Sequence, residues 1–293
     1  MSRNGNPDPV TLTVKQALEN IKKFSIEMPQ QNTYSKSTEA VITYSGRIPI
    51  IQLGTKNDSI DCPFGVSRYN NNMRRFVAVD GSRDTQWIES EPRAWRGDST
   101  SGKLSVSLNL RGYQTTGTQG WYAYEFFNQL YDHLVDCLVN GVPTGQTDDD
   151  GDEVRRKIVD KPLDENIVRS VMFRHPVYQS GDYDPKLTTK ARFRFTRGKT
   201  LSLTGEYFDA DNDNAIASDA FDVIKSRSHG VWLVKIPPLL FKKNEIIMSP
   251  ELQKARVFQS RESFSSKVAF ADDMDTTEDG AEMHGGGQFV DAC

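Results

Sequence analysis

Lysine or arginine at every second position puts positive charge along one side of an extended chain and leaves the other side for a core. The run TKARFRFTRG, residues 189–198, has this spacing: Lys190, Arg192 and Arg194 alternate with Ala191, Phe193 and Phe195, while Arg197 and Lys199 flank Gly198. Read as a strand, it turns back at Gly198 into a hairpin toward Leu201. Five cations on one ribbon repel each other unless water, carboxylates or phosphates lie between them. Such a ribbon has two uses. It can defend an exposed sheet edge against aggregation, or it can hold phosphates.

A second cluster runs over residues 68–96. Arg68, Arg74, Arg75, Arg83, Arg93 and Arg96 are interleaved with Tyr69, Phe76, Trp87 and Trp95. The part WIESEPRAWRGDSTSGK is rich in turn residues and has little periodicity, so a loop is expected there. Aromatic rings among arginines on a loop suit stacking on unpaired bases, each worth ~1–3 kcal/mol. Trp87, beside Ile88, reads as a core anchor; Trp95, between Arg93 and Arg96, reads as a stacking ring.

Charge is divided along the chain. Residues 271–293 carry seven acidic side chains (Asp272, Asp273, Asp275, Glu278, Asp279, Glu282 and Asp291) and no Lys or Arg. The rest holds 36 basic against 33 acidic residues, which splits the net charge of −4 into a body of +3 and a tail of −7. A weakly basic body with an acidic end fits a protein that holds a polyanion and must release it. The plainer account of such a tail is a solubilising terminus with no partner.

Signs of catalysis are sparse. His133, His175, His229 and His284 do not fall at metal-ligand spacings with each other or with the cysteines, and no nucleophile elbow, P-loop or dinucleotide fingerprint occurs. No enzyme, cofactor or metal site is expected. The acidic run 144–153 lacks the twelfth-position glutamate of a calcium loop. It is also too local to hold magnesium for nuclease chemistry. Cys62, Cys137 and Cys293 are odd in number and far apart, which argues for a reducing compartment. The N-terminus has no apolar segment of a signal peptide, and no apolar run approaches the ~20 residues that span a bilayer. An intracellular chain, neither secreted nor membrane-bound, is the expectation.

The elements that would position these residues are mostly strands. Apolar residues Val14, Ala17, Leu18, Ile21 and Phe24 predict a short helix capped by Thr11 or Thr13. Residues 121–140 predict one long helix with Phe127, Leu130, Tyr131, Leu134, Val135 and Leu138 on its apolar stripe, stopped by Gly141 and Pro143. Strands are expected at 40–44, 48–53, 76–79, 103–111, 167–173, 189–195, 201–208, 231–236, 245–248 and 252–258, with a solvated loop at 144–153. The class is mainly β, a barrel-like sheet with one helix capping an open end.

The segment HGVWLVKIPPLLFKKNEIIMSPELQKARVF, residues 229–258, is similar to the closing strands of the single-stranded DNA-binding proteins of nucleocytoplasmic large DNA viruses, which are related to the replication proteins of podophages. The parts that carry the similarity are the strand Val231 to Ile236, the basic turn Lys242-Lys243-Asn244, Ile246 to Met248, and Leu252-Gln253 leading to Val257. The upstream Lys190-x-Arg192-Phe193-Arg194-Phe195 and the acidic tail with its late Phe289 are similar as well. The chain departs from the pattern in carrying four residues after Phe289 and in Pro237-Pro238, which asks for a bulge or wide loop.

The resemblance covers roughly residues 168–258 and the tail. It implies an OB-fold, sequence-tolerant binding of single-stranded DNA in viral replication or recombination, and contact of the tail with replication proteins in the cytoplasm or nucleus of an infected cell. On this reading residues 1–38 form an arm and short helix, 39–268 an OB-fold-like barrel with long insertions, and 269–293 a disordered acidic tail. Phosphates fall to Lys190, Arg192, Arg194, Arg197, Lys199, Arg74, Arg75 and Lys235; bases fall to Trp95, Tyr207 and Trp232, the last of which reads equally as a core residue. The acidic residues and Phe289 form the partner-binding tail, which folds over the basic groove when DNA is absent. Pairing of two copies is left open. The competing expectation is a virion or scaffold structural β-protein with no nucleic-acid role.

Overall fold

The computed structural model describes residues 7–32, 37–67, 69–70, 75–76, 101–159, 162–196, 200–211, 213–216 and 223–258. They form a mainly β architecture built on one ten-stranded sheet. Its strands are β1 (Pro9–Thr13), β2 (Ile48–Leu53), β3 (Ile60–Cys62), β4 (Ser101–Asn109), β5 (Val177–Tyr178), β6 (Lys186–Thr196), β7 (Thr200–Leu203), β8 (Glu206–Asp209), β9 (Ser228–Lys235) and β10 (Glu251–Phe258).

The pairings close on themselves. One side of β9 is shared by β2, opposite Trp232 to Lys235, and by β3, opposite Ser228 to Gly230. The chain can bend between β2 and β3 because Gly54, at φ +83°, lies where a Cβ would stand 2.8 Å from the Gly230 carbonyl oxygen. From β3 the ring passes antiparallel to β4 at Asp61 and Asn109, then to β6 along nine register pairs. It continues parallel from β6 to β10, and antiparallel from β10 back to β9. Counting β2 with β3 as one bent strand, the ring order by position in the chain is 1–2–3–5–4–1.

Alternation fills the ring. Leu104, Val106 and Leu108 on β4 meet Leu187, Ala191 and Phe193 on β6, all buried. Thr189 is buried among them and stays satisfied by donating Oγ1–H to the Val106 carbonyl at 2.9 Å. Opposite Leu233 and Val234 the register skips Gln253, a bulge that lets β10 bend along β9.

β1 lies within the segment expected as an arm and joins the sheet parallel to β2. It ends at Thr13, which makes a capping box with Gln16 and opens α1 (Val14–Glu19). That helix is shorter than its apolar spacing suggested. Ile21–Lys23 is a 3-10 turn, and Phe24 opens a strand, Phe24–Ile26, where its ring packs on Tyr44 and Phe126. The long helix, α2 (Gln119–Asn140), is capped by the Thr118 hydroxyl and stopped at Gly141, φ +94°, with the predicted stripe buried. Among the described residues no helix is long and apolar enough to cross a membrane.

Several expected elements are redrawn, two of them by identifiable local contacts, and the acidic run 144–153 stays exposed as expected. Residues 167–173 are helical, a turn Glu165–Ile167 running into the π-helix Val168–Met172. The β-branched Ile167, Val168 and Val171 mimic a strand there. The Asp164 side chain caps the Ile167 N–H at 3.0 Å, and Arg169 bonds Glu165 at 2.8 Å, which fixes the helical form. The acidic run 144–153 belongs to a hairpin, Val142–Thr147 with Glu153–Arg156, whose turn is tied by the Asp148 carboxylate accepting from the N–H groups of Asp150 and Asp152. Residues 201–208 divide into β7 and β8 at Thr204-Gly205. Expected strand 76–79 is described only at Arg75–Phe76, paired with Tyr69–Asn70, and expected strand 245–248 shrinks to Ile246–Ile247. The latter joins Leu239–Phe241, Thr38–Ala40 and Gln30–Gln31 in a small four-stranded sheet.

Candidate functional site

β6 carries its charge outward in the expected alternation. Arg192 and Arg194 are exposed and Lys190 is half-buried, while Ala191 and Phe193 point into the ring. The strand is not an edge. Its residues pair with β4 on one side, and with β5, β10 and β7 in turn on the other. Defence of a free edge therefore does not account for its cations.

Cross-strand neighbours in a sheet share a face, and the register gives this face its composition. Lys186, Thr188, Lys190 and Arg192 on β6 lie opposite Asn109, Ser107, Ser105 and Lys103 on β4. The result is a polar trough in which Lys103, Ser105, Ser107 and Asn109 on one rail face a rail dominated by the cations Lys186, Lys190 and Arg192. Lys190 donates to the Ser105 hydroxyl at 2.7 Å. Burial, and then the charge of Lys103, lower its pKa from the ordinary lysine value.

One buried carboxylate anchors the cations. Glu251, the first residue of β10, accepts from Arg192 through Nε at 3.0 Å and Nη2 at 3.1 Å, and it also pairs with Lys103. Burial alone would raise its pKa. The hydrogen bond and charge of Lys103, together with Arg192, outweigh burial and hold the carboxyl below its usual range. A cleft of about 380 Å³ opens beside this cluster, between the trough and the small sheet, with Pro237, Pro238, Leu240 and Ile247 on its far wall. Pro237-Pro238 lies in the connection between β9, which ends at Lys235, and the strand Leu239–Phe241 of the small sheet.

The remaining predicted residues divide three ways. Lys235 is half-buried and faces Glu251 in register on β9, so it belongs to the same neighbourhood. Arg75 is placed only as part of a short backbone pairing. Arg74, Arg197, Lys199, Trp95, Phe289 and the tail carboxylates Asp272, Asp273, Asp275, Glu278, Asp279, Glu282 and Asp291 lie outside the described residues.

Two residues need correcting. Trp232 has 0% of its surface exposed and donates Nε1–H to the Ile60 carbonyl at 2.9 Å; it is a core residue of the ring, not a stacking platform. Tyr207 is 5% exposed, and burial raises its phenol pKa. Both sit on inward positions of their strands, opposite or beside Ala255.

Sequence reasoning missed Lys103, Lys186 and Glu251. The alternation of Lys103, Ser105 and Ser107 in β4 was legible, but its pairing with β6 was not. Glu251 gave no local sign of burial.

A second groove, of about 440 Å³, lies over β9 and β10 with Lys56, Lys254 and Arg256 at its rim. Lys254 pairs with Glu206 at 2.9 Å and Arg256 with Asp213 at 3.1 Å, so two of the three cations each have a carboxylate of their own. In the trough, by contrast, Glu251 is shared by two cations. Burial pushes the thiols of Cys62 and Cys137 up to about 12, so neither is a thiolate at neutral pH.

No family model matches this chain, and none of the curated proteins compared with it matches either.

Proposed function

We propose that this protein binds single-stranded DNA without sequence selection, in viral replication or recombination, and that the trough between β4 and β6 holds the phosphates. The observation that carries this reading is the row Lys186, Lys190, Arg192 and Arg194 on the outer face of a strand paired on both sides. Together with Lys103 it outnumbers the carboxylates that the described residues place beside it, buried Glu251 and, lining the same cleft, Glu39. Phosphate contact supplies affinity that is independent of sequence.

The closed ring ordered 1–2–3–5–4–1 supports an OB-fold, whose second and third strands form the customary binding face. Here those strands are β4 and β6. Glu251 ties up donors of Arg192 and Lys103, so it anchors these cations and competes with phosphate for them. The acidic tail competes with DNA for the same cations and, when displaced, offers itself to replication proteins.

Fluorescence anisotropy with a labelled oligo-dT and with a duplex of equal length, each at two salt concentrations, tests the reading. Single strands bind more tightly, and log affinity falls with log salt by about 0.7 per phosphate contacted. Equal affinity for both forms, or no binding at low salt, would overturn it.

A further inference from the structure

Cations explain affinity for a backbone. They do not explain a preference for unpaired bases. The two rings first assigned that work, Trp232 and Tyr207, are buried, yet three aromatic side chains among the described residues are more than half exposed. Phe64 is 64% exposed, Tyr178 62% and Tyr183 74%. Apolar rings this exposed, gathered at one place, mark a contact surface.

They converge on Lys186. Its ammonium lies 4.7 Å from the Phe64 ring centroid and 5.9 Å from that of Tyr183. Tyr178 is its register partner on β5 and shares its face. These rings come from three parts of the chain: Phe64 from just after β3, Tyr178 from β5, and Tyr183 from the loop that enters β6. Phe64 and Tyr183 share the Lys186 ammonium, and Tyr178 adjoins it through the register of β5, so the three exposed rings gather around one cation. Lys186 also begins the outward row of β6, so the aromatic cluster stands at one end of the trough and Arg194 toward the other. At about 3.3 Å per residue these positions are roughly 26 Å apart.

We infer that Phe64, Tyr178 and Tyr183 around Lys186 form a base-stacking subsite, which receives the unpaired bases of a strand whose phosphates follow β6 toward Arg194. The inference rests on the reading of the trough as the DNA path and adds what that reading lacks, a device that selects single strands over duplex. A paired base has its faces occupied by its neighbours in the stack and cannot use these rings. A trough of about 26 Å suits the smallest OB-fold site sizes, about four nucleotides.

The test compares oligo-dT with an abasic oligomer of equal length and charge, using the full chain and the Phe64→Ala/Tyr183→Ala double variant. Both substituted side chains are largely exposed, so the variant folds, which its melting curve checks. The double variant loses roughly five- to hundredfold in affinity for oligo-dT while keeping its affinity for the abasic oligomer, and Phe64→Tyr restores most of the loss at that position. Unchanged binding of oligo-dT by the double variant would overturn the subsite and leave the trough standing. Equal losses for both oligomers would also overturn it, since stacking cannot act on a strand without bases. Failure of the unaltered chain to bind either oligomer would sink the trough reading and this inference with it.

Discussion

Glu251 and Arg192 are joined by two hydrogen bonds, although neither is the other's register partner. On β6 the residue opposite Glu251 is Lys190. The carboxylate reaches past it to the Arg192 guanidinium, at 3.0 and 3.1 Å, and across to Lys103 on β4. Lys190 bonds the Ser105 hydroxyl instead. One buried anion thereby ties β10 to both strands of the trough and sets the pose of two of its cations.

Replacing that anion separates its two effects. Glu251→Gln lowers stability by about 1–3 kcal/mol, because charge-assisted hydrogen bonds are lost from a buried position. The same change frees Arg192 and Lys103 and tightens oligo-dT binding severalfold at low salt. The pH dependence has a definite sign. A carboxyl held below its unfolded pKa contributes stability at pH above the unfolded value, and that contribution is lost as pH falls through the folded one. The stability gap between the native chain and Glu251→Gln, read from denaturant titrations, is widest near neutral pH and shrinks on acidification below the usual carboxylate range. A gap that widens toward acid would contradict this assignment.

Lys190 should behave in the opposite way. Its ammonium is partly desolvated and lies near Lys103, which lowers its pKa. Lys190→Met relieves that desolvation at the expense of the Ser105 hydrogen bond, so it does not lower stability, while it reduces the slope of log affinity against log salt by about 0.7. Thermal melts and a salt titration read the two effects from one variant. A loss of stability with an unchanged salt slope would make Lys190 a structural residue only.

Trp232→Phe tests the correction made for that residue. It removes ring volume from the core and leaves the Ile60 carbonyl without its donor, at a cost of about 1–3 kcal/mol. Binding of oligo-dT by the folded variant stays within about twofold of the original. A large loss of affinity with stability unchanged would return Trp232 to the binding surface.

The proposed masking by the seven carboxylates of residues 271–293 is tested by removing them. The shortened chain binds oligo-dT more tightly at low salt, and the advantage fades toward about 0.15 M salt, where screening acts over ~8 Å. Equal affinities across the whole titration would reduce the tail to a solubilising end.

Much of the architecture was legible because alternation in β4, β6 and β9 is strict and each strand is buried on one face. α2 was legible from its wide apolar stripe and the Gly141 stop. Local chemistry hid the rest. The helical segment Glu165–Met172 is decided by the Asp164 cap and the Arg169 ion pairs, which outweigh its β-branched composition. At the site, the charged face of β6 could be read from period two alone. The identity of its neighbours depends on register, so Lys103 and Glu251 stayed invisible. Trp232 misled for a related reason: its outward or inward facing depends on the phase of β9, and the tryptophan falls on the buried phase.

Lysine-modification footprinting of the full chain, with and without saturating oligo-dT, tests the placement of DNA most directly. The trough account predicts that Lys103 and Lys186 lose reactivity on binding, while Lys56 and Lys254 of the second groove keep theirs. Protection of Lys56 and Lys254 with Lys103 and Lys186 unchanged would contradict it.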